Sequence, residues 1–401
     1  MIKLRHPSRV IVPTKLLAGV LLTAMLLVAA VPASLAAASA PPLSQGPQSN
    51  PNDVRLTLAD WELIGTVNFP TGTMFAGTQV GGLSSITYDE HRGVFYALSD
   101  DQGQINPVRF YTLAVDLSDG QLDAGDIAFT GVTTLLDASG QPYAPGSLDP
   151  EGLALAHSGQ LFMSSEGFAA RGIPPFVNRY NLDGELTKEA AVPEKFLPVS
   201  SAQGVRQNLA FESLNVSPDA RFLYTAAEGA LVQDGPAAAY GVPSTARILQ
   251  YRLAEPRPLH EYVYPVNSLP EQPVPPTAFG VNGLVELLPL DNFGAMLAME
   301  RGFSVGAPGS GNTVHLYEIN TEGATDVSGD FALPASYEPV AKRFILDVET
   351  DLGIEPDNLE GMAFGAPLPD GRLPLVLVSD NNFAANQVTQ FIVLAVTLAE
   401  R

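Results

Sequence analysis

The chain contains no cysteine and one tryptophan, Trp61, in 401 residues. Without cysteine there is no disulfide framework and no thiolate ligation, so the fold must rely on its core or on bound ions. Basic residues are also scarce: 21 Lys and Arg face 43 Asp and Glu, for a formal net charge of −22. A surface of that sign repels nucleic-acid phosphates and anionic lipid, which sets aside both as partners. Neither a His-Glu-x-x-His pair nor a P-loop occurs, and no serine nucleophile of the α/β-hydrolase kind is expected. His91, His157, His260 and His315 are scattered along the chain and read as structural. After the N-terminal segment there is little helical periodicity.

That segment has its own pattern. Lys3, Arg5, Arg9 and Lys15 precede an apolar run from Leu16 to Ala30, and Ser34-Leu35-Ala36 and Ala36-Ala37-Ala38 offer small-x-small cleavage sites. Residues 1–38 are therefore expected to be a signal peptide, with a retained single-pass anchor as the alternative reading. Residues 39–53, rich in Pro, Ser, Gln and Asn, read as a flexible linker, and 54–401 as one domain. Cleavage would remove four basic and no acidic residues, taking the net charge from −22 to −26. The expected location is exported, periplasmic or extracellular, with no membrane contact after cleavage.

What the remaining chain does have is a recurring sentence. A small or acidic residue leads an apolar strand, a turn follows, and a second apolar strand ends on an acid. The leading positions Ser84, Glu151, Glu212, Asn282 and Glu360 are spaced 67, 61, 70 and 78 residues apart. The trailing acids are Asp100 with Asp101, Glu166, Glu228, Glu300 and Asp380. Strand-rich units repeated at this interval predict an all-β propeller. Further strand-like runs give about four strands per unit; in the second unit these are Pro175–Leu182 and Ala191–Leu197. The last unit lacks an outer strand after Val388–Thr397, and Leu56–Phe69 can supply it, so N- and C-terminal strands would close the ring. Five four-stranded blades are expected, with six as the alternative if spans 229–281 and 302–359 hide another.

In each unit the second strand returns antiparallel to the first, which puts leading residue and trailing acid at one rim. Two like charges ~6 Å apart at an effective dielectric of about 20 repel by roughly 3 kcal/mol. Protons, arginines or a divalent cation must offset several such pairs. Oxygen-only donors suit Ca²⁺. The expected metal set is Asp100, Asp101, Glu151, Glu166, Glu212, Glu228, Glu300, Glu360 and Asp380. Glu151, Glu212 and Glu360 are expected to be catalytic as well, and Arg206, Arg301 and Arg171 to bind substrate as forked donors. Three long excursions, Gln233–Ser244, Pro265–Thr277 and Gly302–Asn312, are expected in part to overhang this rim.

These motifs resemble the phytase-like family of exported bacterial proteins, described by an esterase-like activity of phytase. The resemblance lies in Gly81-Gly82-Leu83-Ser84-Ser85-Ile86 with Ala97-Leu98-Ser99-Asp100-Asp101, and in Asp149-Pro150-Glu151-Gly152-Leu153 with Ser165-Glu166-Gly167. It continues through Arg206-Gln207-Asn208-Leu209-Ala210-Phe211-Glu212-Ser213-Leu214 and Asn358-Leu359-Glu360-Gly361-Met362 with Ser379-Asp380-Asn381-Asn382. It implies a secreted propeller and hydrolysis of a small phosphoester or other ester. Ser84 and Asn282 depart from the acidic pattern. A metal-dependent lactonase or esterase, and a non-catalytic propeller that binds a ligand or a protein, stand as the alternatives.

Overall fold

The computed structural model describes residues 54–401; the expected signal peptide and linker lie outside them. Regular structure there is almost wholly strand. β1 (Leu56–Pro70) leads into a short hairpin of β2 (Met74–Phe75) and β3 (Thr78–Gln79). The first blade is β4 (Leu83–Asp89), β5 (Val94–Ser99), β6 (Arg109–Val115) and β7 (Ile127–Thr134). The second is β8 (Pro150–Leu155), β9 (Leu161–Ser165), β10 (Phe176–Tyr180) and β11 (Leu186–Glu189). The third is β12 (Phe211–Val216), β13 (Phe222–Ala227), β14 (Ser244–Arg252) and β15 (Arg257–Val266). The fourth is β16 (Gly280–Pro289), β17 (Ala295–Ser304), β18 (Asn312–Asn320) and β19 (Ala341–Asp347), followed by a one-turn helix, α1 (Val348–Leu352). The fifth comprises β20 (Asn358–Phe364), β21 (Leu373–Asp380), β22 (Val388–Glu400) and, as its outer strand, β1.

All pairings within the blades are antiparallel, and the inner strands β4, β8, β12, β16 and β20 pack side by side until the last meets the first. This is a five-bladed propeller. The spans 229–281 and 302–359 contain no sixth blade; they hold outer strands and long loops. Closure runs along almost the whole of β1, from Leu56 opposite Glu400 to Pro70 opposite Val388. It covers the edge of β22 and makes β1 the outer strand of blade five.

The absence of disulfides is answered by five apolar clusters, one at each junction between neighbouring blades. Leu359, Met362 and Leu375 of blade five pack with Leu297, Val314 and Leu316 of blade four. Val376 and Phe391 meet Ile86 and Tyr111 across the junction of blades five and one. Similar clusters join blades two and three, three and four, and one and two. Alternating apolar residues on both faces of a sheet are what such packing demands, and they explain why the strands read as nearly continuous apolar runs.

Blade two corrects one strand assignment. Its outer strand is Leu186–Glu189, directly after the Asp183-Gly184 turn, and residues 191–197 instead carry a 3₁₀ turn over Glu194–Phe196. A two-residue turn commits the next residues to pairing at once. Pro193, which has no N–H to donate, leads the later run out of the sheet.

Among the described residues, no helix is long and apolar enough to cross a membrane.

Candidate metal centre and active site

Each inner strand carries a bulge near its N-terminal end, and the bulge fixes which residues face the central cavity. In blade five Leu359 pairs with Ser379 and Gly361 with Val378, leaving Glu360 as the extra residue, while Asp380 lies opposite Asn358. Blade one repeats this with Ser84 as the bulge, and the Asp100 N–H bonds to the Gly82 carbonyl. Glu166 N–H to the Asp149 carbonyl, and Glu228 N–H to the Ala210 carbonyl, place Glu151 and Glu212 at the bulges of blades two and three.

Blade four follows the same geometry with a different register from that expected. Leu284 pairs with Glu300, Gly283 with Arg301, and Val285 is the bulge. The residue matching Glu151, Glu212 and Glu360 is thus Val285, not Asn282. The residue matching the trailing acids is Arg301, not Glu300. A one-residue step along a strand turns a side chain to the other face. Glu300 accordingly points into the blade, where it meets Lys342, Tyr264 Oη at 2.9 Å and Asn282 Nδ2 at 2.9 Å. Arg301 alone faces the cavity.

The cavity, about 650 Å³, is lined by Asp100, Asp149, Glu151, Glu212, Glu228, Glu360, Asp380 and Arg301, with Gln and Asn side chains above them. Two carboxylate triads have ligand atoms within 4.8 Å of one another: Asp149, Glu151 and Glu166, then Glu166, Glu212 and Glu228. Glu166 belongs to both, and all five side chains are buried. Buried Asp100 Oδ1 and Glu228 Oε1 have no hydrogen-bond partner among the described residues. Unsatisfied buried carboxylate oxygens are costly, so these point to a missing positive species. An all-oxygen donor set with shared carboxylates fits a hard divalent cation.

Electrostatics agree. Burial first, and then neighbouring carboxylates, hold Asp100, Glu151, Glu166, Glu212 and Asp380 well above the ordinary carboxylate range. Burial pushes Asp149 up to about 6, although Gln102 Nε2 donates to it at 2.6 Å. Burial takes Glu228 to about 7 against the pull of Arg301. Glu360 is raised by burial and drawn partly back by Arg301 and Asn358. Burial opposes the charge of Arg301 itself, but Glu228, Glu360 and Glu212 overcome it and keep its pKa above the usual arginine value.

The other expected residues lie elsewhere. Asp101 pairs with Arg109 at 2.8 Å and accepts the N–H groups of Gln104, Ile105 and Asn106, closing a turn. Arg206 donates to the carbonyls of Ala230 and Gly235. Arg171 bonds the Gly146 carbonyl and lies over the Phe168 ring. None of the three lines the cavity. Of the three excursions, Gly302–Asn312 does, through Phe303, Ser310 and Asn312; Phe279, just beyond Pro265–Thr277, joins it.

Sequence reasoning missed Asp149. It stands two residues before Glu151 on the same strand edge, so the period-two alternation that places one also places the other. It also passed over Gly302-Phe303-Ser304-Val305-Gly306, which spells Gly-x-Ser-x-Gly. Ser304 ends β17, is buried and donates to the Glu271 carbonyl at 2.6 Å, with no strand-to-helix elbow. It is not a nucleophile.

No curated protein matches the sequence. Solved structures similar in fold include an endo-arabinase from Bacteroides thetaiotaomicron, at 12% identity and TM-score 0.41, covering 81% of this chain and 95% of that one. A member of the GH130 family of mannoside phosphorylases is similar at 12% identity and TM-score 0.43, over 84% and 95% of the two chains. A DUF4221 protein from Bacteroides vulgatus has 9% identity and TM-score 0.37, over 88% and 100%. Likeness this distant carries no argument about chemistry. Residues 78–383, by contrast, match the phytase-like family, described as "Esterase-like activity of phytase", and the chain belongs to that family.

Proposed function

We propose that this protein hydrolyses small phosphoesters at a divalent cation, with calcium the best suited, held by the carboxylates at the centre of the propeller. The observation that carries the reading is the pair of buried triads sharing Glu166, together with the unpartnered oxygens of Asp100 and Glu228. Asp149, Glu151, Glu166, Glu212 and Glu228 would hold the ion, with Asp100, Glu360 and Asp380 beside them. When bound, such an ion supplies a Lewis acid for the ester oxygen and a water of lowered pKa.

The remaining chemistry belongs to the side chains. Arg301 contacts Glu360 at 2.9 Å and partly offsets the effect of burial on its carboxyl. Its buried Nε has no partner, which leaves a donor for an oxyanion. Glu228, raised to about 7 by burial in the ion-free site, would ionise as it takes up the cation. Glu151, Glu212 and Glu360 would orient the reacting groups from three adjacent or facing blades. Without a cation, a phosphate would meet a ring of carboxylates and one arginine, so the phosphoester reading requires one. The pattern of residues 1–38 favours export, which would place the site in a compartment where calcium is plentiful.

A second reading, hydrolysis of a lactone or other carboxylic ester at the same centre, is favoured by one observation: among the described residues Arg301 is the single basic one lining the cavity. The deciding measurement is inorganic phosphate release from phytate and simple phosphomonoesters, with calcium and after chelation. Calcium-dependent release supports the first reading. No release from any of them in calcium rules it out, and turnover of a lactone panel then decides the second.

A further inference from the structure

The walls of the cavity differ in chemistry from one side to the other. Below lie the carboxylates and Arg301. Around blades one, two and five the upper wall is carboxamide, with Gln102, Gln207, Asn208, Asn382 and Gln387. Against blade four, beside Ser310 and Asn312, it carries an apolar run of Phe279, Val281 and Phe303, with Leu209 from the approach to blade three. The Phe279 and Phe303 rings are 6.4 Å apart and inclined at 43°.

Phe279 is 64% exposed, and Val274 and Val305, at 60% and 39%, continue the same lip. These three are joined by backbone hydrogen bonds, Val305 N–H to the Phe279 carbonyl and Val274 N–H to the Val305 carbonyl. The lip is thus held in place by the main chain while its side chains face solvent. An exposed aromatic fixed beside an ionic cavity, with further apolar groups continuous with it, is the form of a ligand subsite and serves no core.

We propose that Phe279 and Phe303 form a subsite for a flat apolar group on the alcohol portion of the substrate ester. This rests on the hydrolase reading and narrows it. The ester group would lie over the carboxylate centre, polar substituents would meet the carboxamides, and a ring would cover Phe279. A substrate polar on every side, such as an inositol phosphate, leaves this wall uncovered. An aryl or similarly apolar phosphoester does not.

Two measurements test it. The first is kcat/KM in calcium for 4-nitrophenyl phosphate and for glycerol phosphate, in the native protein and in Phe279→Ala. The aryl ester is expected to be preferred, and Phe279→Ala to lower that preference by about tenfold, the scale of a lost apolar contact in a pocket. An unchanged preference overturns the subsite. The second measurement needs no turnover. In a Trp61→Phe background, Phe279→Trp places the only tryptophan of the chain at the lip. Saturable quenching by 4-nitrophenyl phosphate, with none by glycerol phosphate, is expected. Absence of quenching overturns the subsite, whether or not either ester is hydrolysed. Quenching without phosphate release keeps the subsite and removes the phosphoester reading.

Discussion

Arg301 Nη2 lies 2.9 Å from Glu360 Oε1 and 3.8 Å from Glu228 Oε1, at the position where the other four blades carry an acid. One cation thus stands between Glu360 and the triad member Glu228. Removing it would leave two buried charges without their partner. Arg301→Met is expected to cost about 3–5 kcal/mol at neutral pH, the range for breaking one side of a buried ion pair. Urea unfolding of the calcium-free protein measures this. Activity should fall further than stability requires, and Arg301→Lys, which keeps the charge but not the fork, should recover stability better than turnover.

The raised carboxylates set a pH dependence with a definite sign. An acid whose folded pKa exceeds its unfolded value loses nothing below the unfolded pKa. It destabilises the fold progressively as pH rises toward the folded value. For Asp149, raised to about 6, and Glu228, raised to about 7, that window runs from roughly pH 4 to 7. The calcium-free protein should therefore melt at a lower temperature at pH 8 than at pH 5. Calcium should flatten or reverse the trend, because it binds only the ionised forms. A Tm that rises with pH in the presence of chelator would contradict the arrangement.

Gly82 has φ +63°, and a Cβ there would sit 1.9 Å from Asp100 Oδ1 and 2.9 Å from the Phe383 ring. Gly82→Ala combines a strained backbone with displacement of one unpartnered carboxylate oxygen. It should weaken calcium binding by an order of magnitude or so if Asp100 serves the ion. Titration calorimetry gives the answer, and wild-type affinity in a folded variant would remove Asp100 from the centre.

Glu286 stands just after the blade-four bulge and is fully buried; the matching positions of the other blades are Ser85, Gly152, Ser213 and Gly361. Its carboxyl accepts the N–H of Leu287 at 2.8 Å, and the nearby polar groups of Asn215, Leu214 and Met362 on the flanking blades favour its charged form. Burial nonetheless keeps its pKa well above the ordinary range. Glu286→Ala would leave the Leu287 N–H unsatisfied, at about 1–3 kcal/mol, and open a cavity besides. Glu286→Gln, close in shape to the protonated acid, should cost less than about 1 kcal/mol. Denaturant midpoints of the two variants should separate clearly.

Arg206 and Arg171 hold backbone carbonyls away from the cavity. Arg206→Gln and Arg171→Gln should alter stability by about 1.5–3 kcal/mol, as for a lost hydrogen bond to a charged group, with KM for any phosphoester unchanged. A large rise in KM for either would return it to the site.

Why did the sequence reveal the ring so readily and one blade so poorly? Apolar alternation and turn residues are local, and they marked strands almost to the residue: Leu56–Phe69 against Leu56–Pro70, Val388–Thr397 against Val388–Glu400. Register is not local. Glu300-Arg301-Gly302 looks like the acid-glycine endings Glu166-Gly167 and Glu228-Gly229, so Glu300 was read as the trailing acid. Only the pairing of Leu284 with Glu300 shows that the bulge lies at Val285 and that Arg301 takes the facing position. The same limit applies to Asp101, Arg171 and Arg206. Proximity along the chain to acidic motifs said nothing about which side of a strand or turn they occupy. Phe279 gave no periodic signal at all, since it lies at the end of an irregular excursion.

The Arg401 N–H bonds to the Arg55 carbonyl at 3.0 Å, so the two ends of the described chain are neighbours in the outer part of blade five. A ring closed in this way has no intrinsic first blade. Joining the termini through a short peptide and cutting between blades, for instance in the exposed Gly140 turn, would leave every strand pair intact. The existing cut has a consequence of its own. Blade five stays one strand short until residues 388–400 have been synthesised, while β1, made first, must wait unpaired for nearly the whole length of translation.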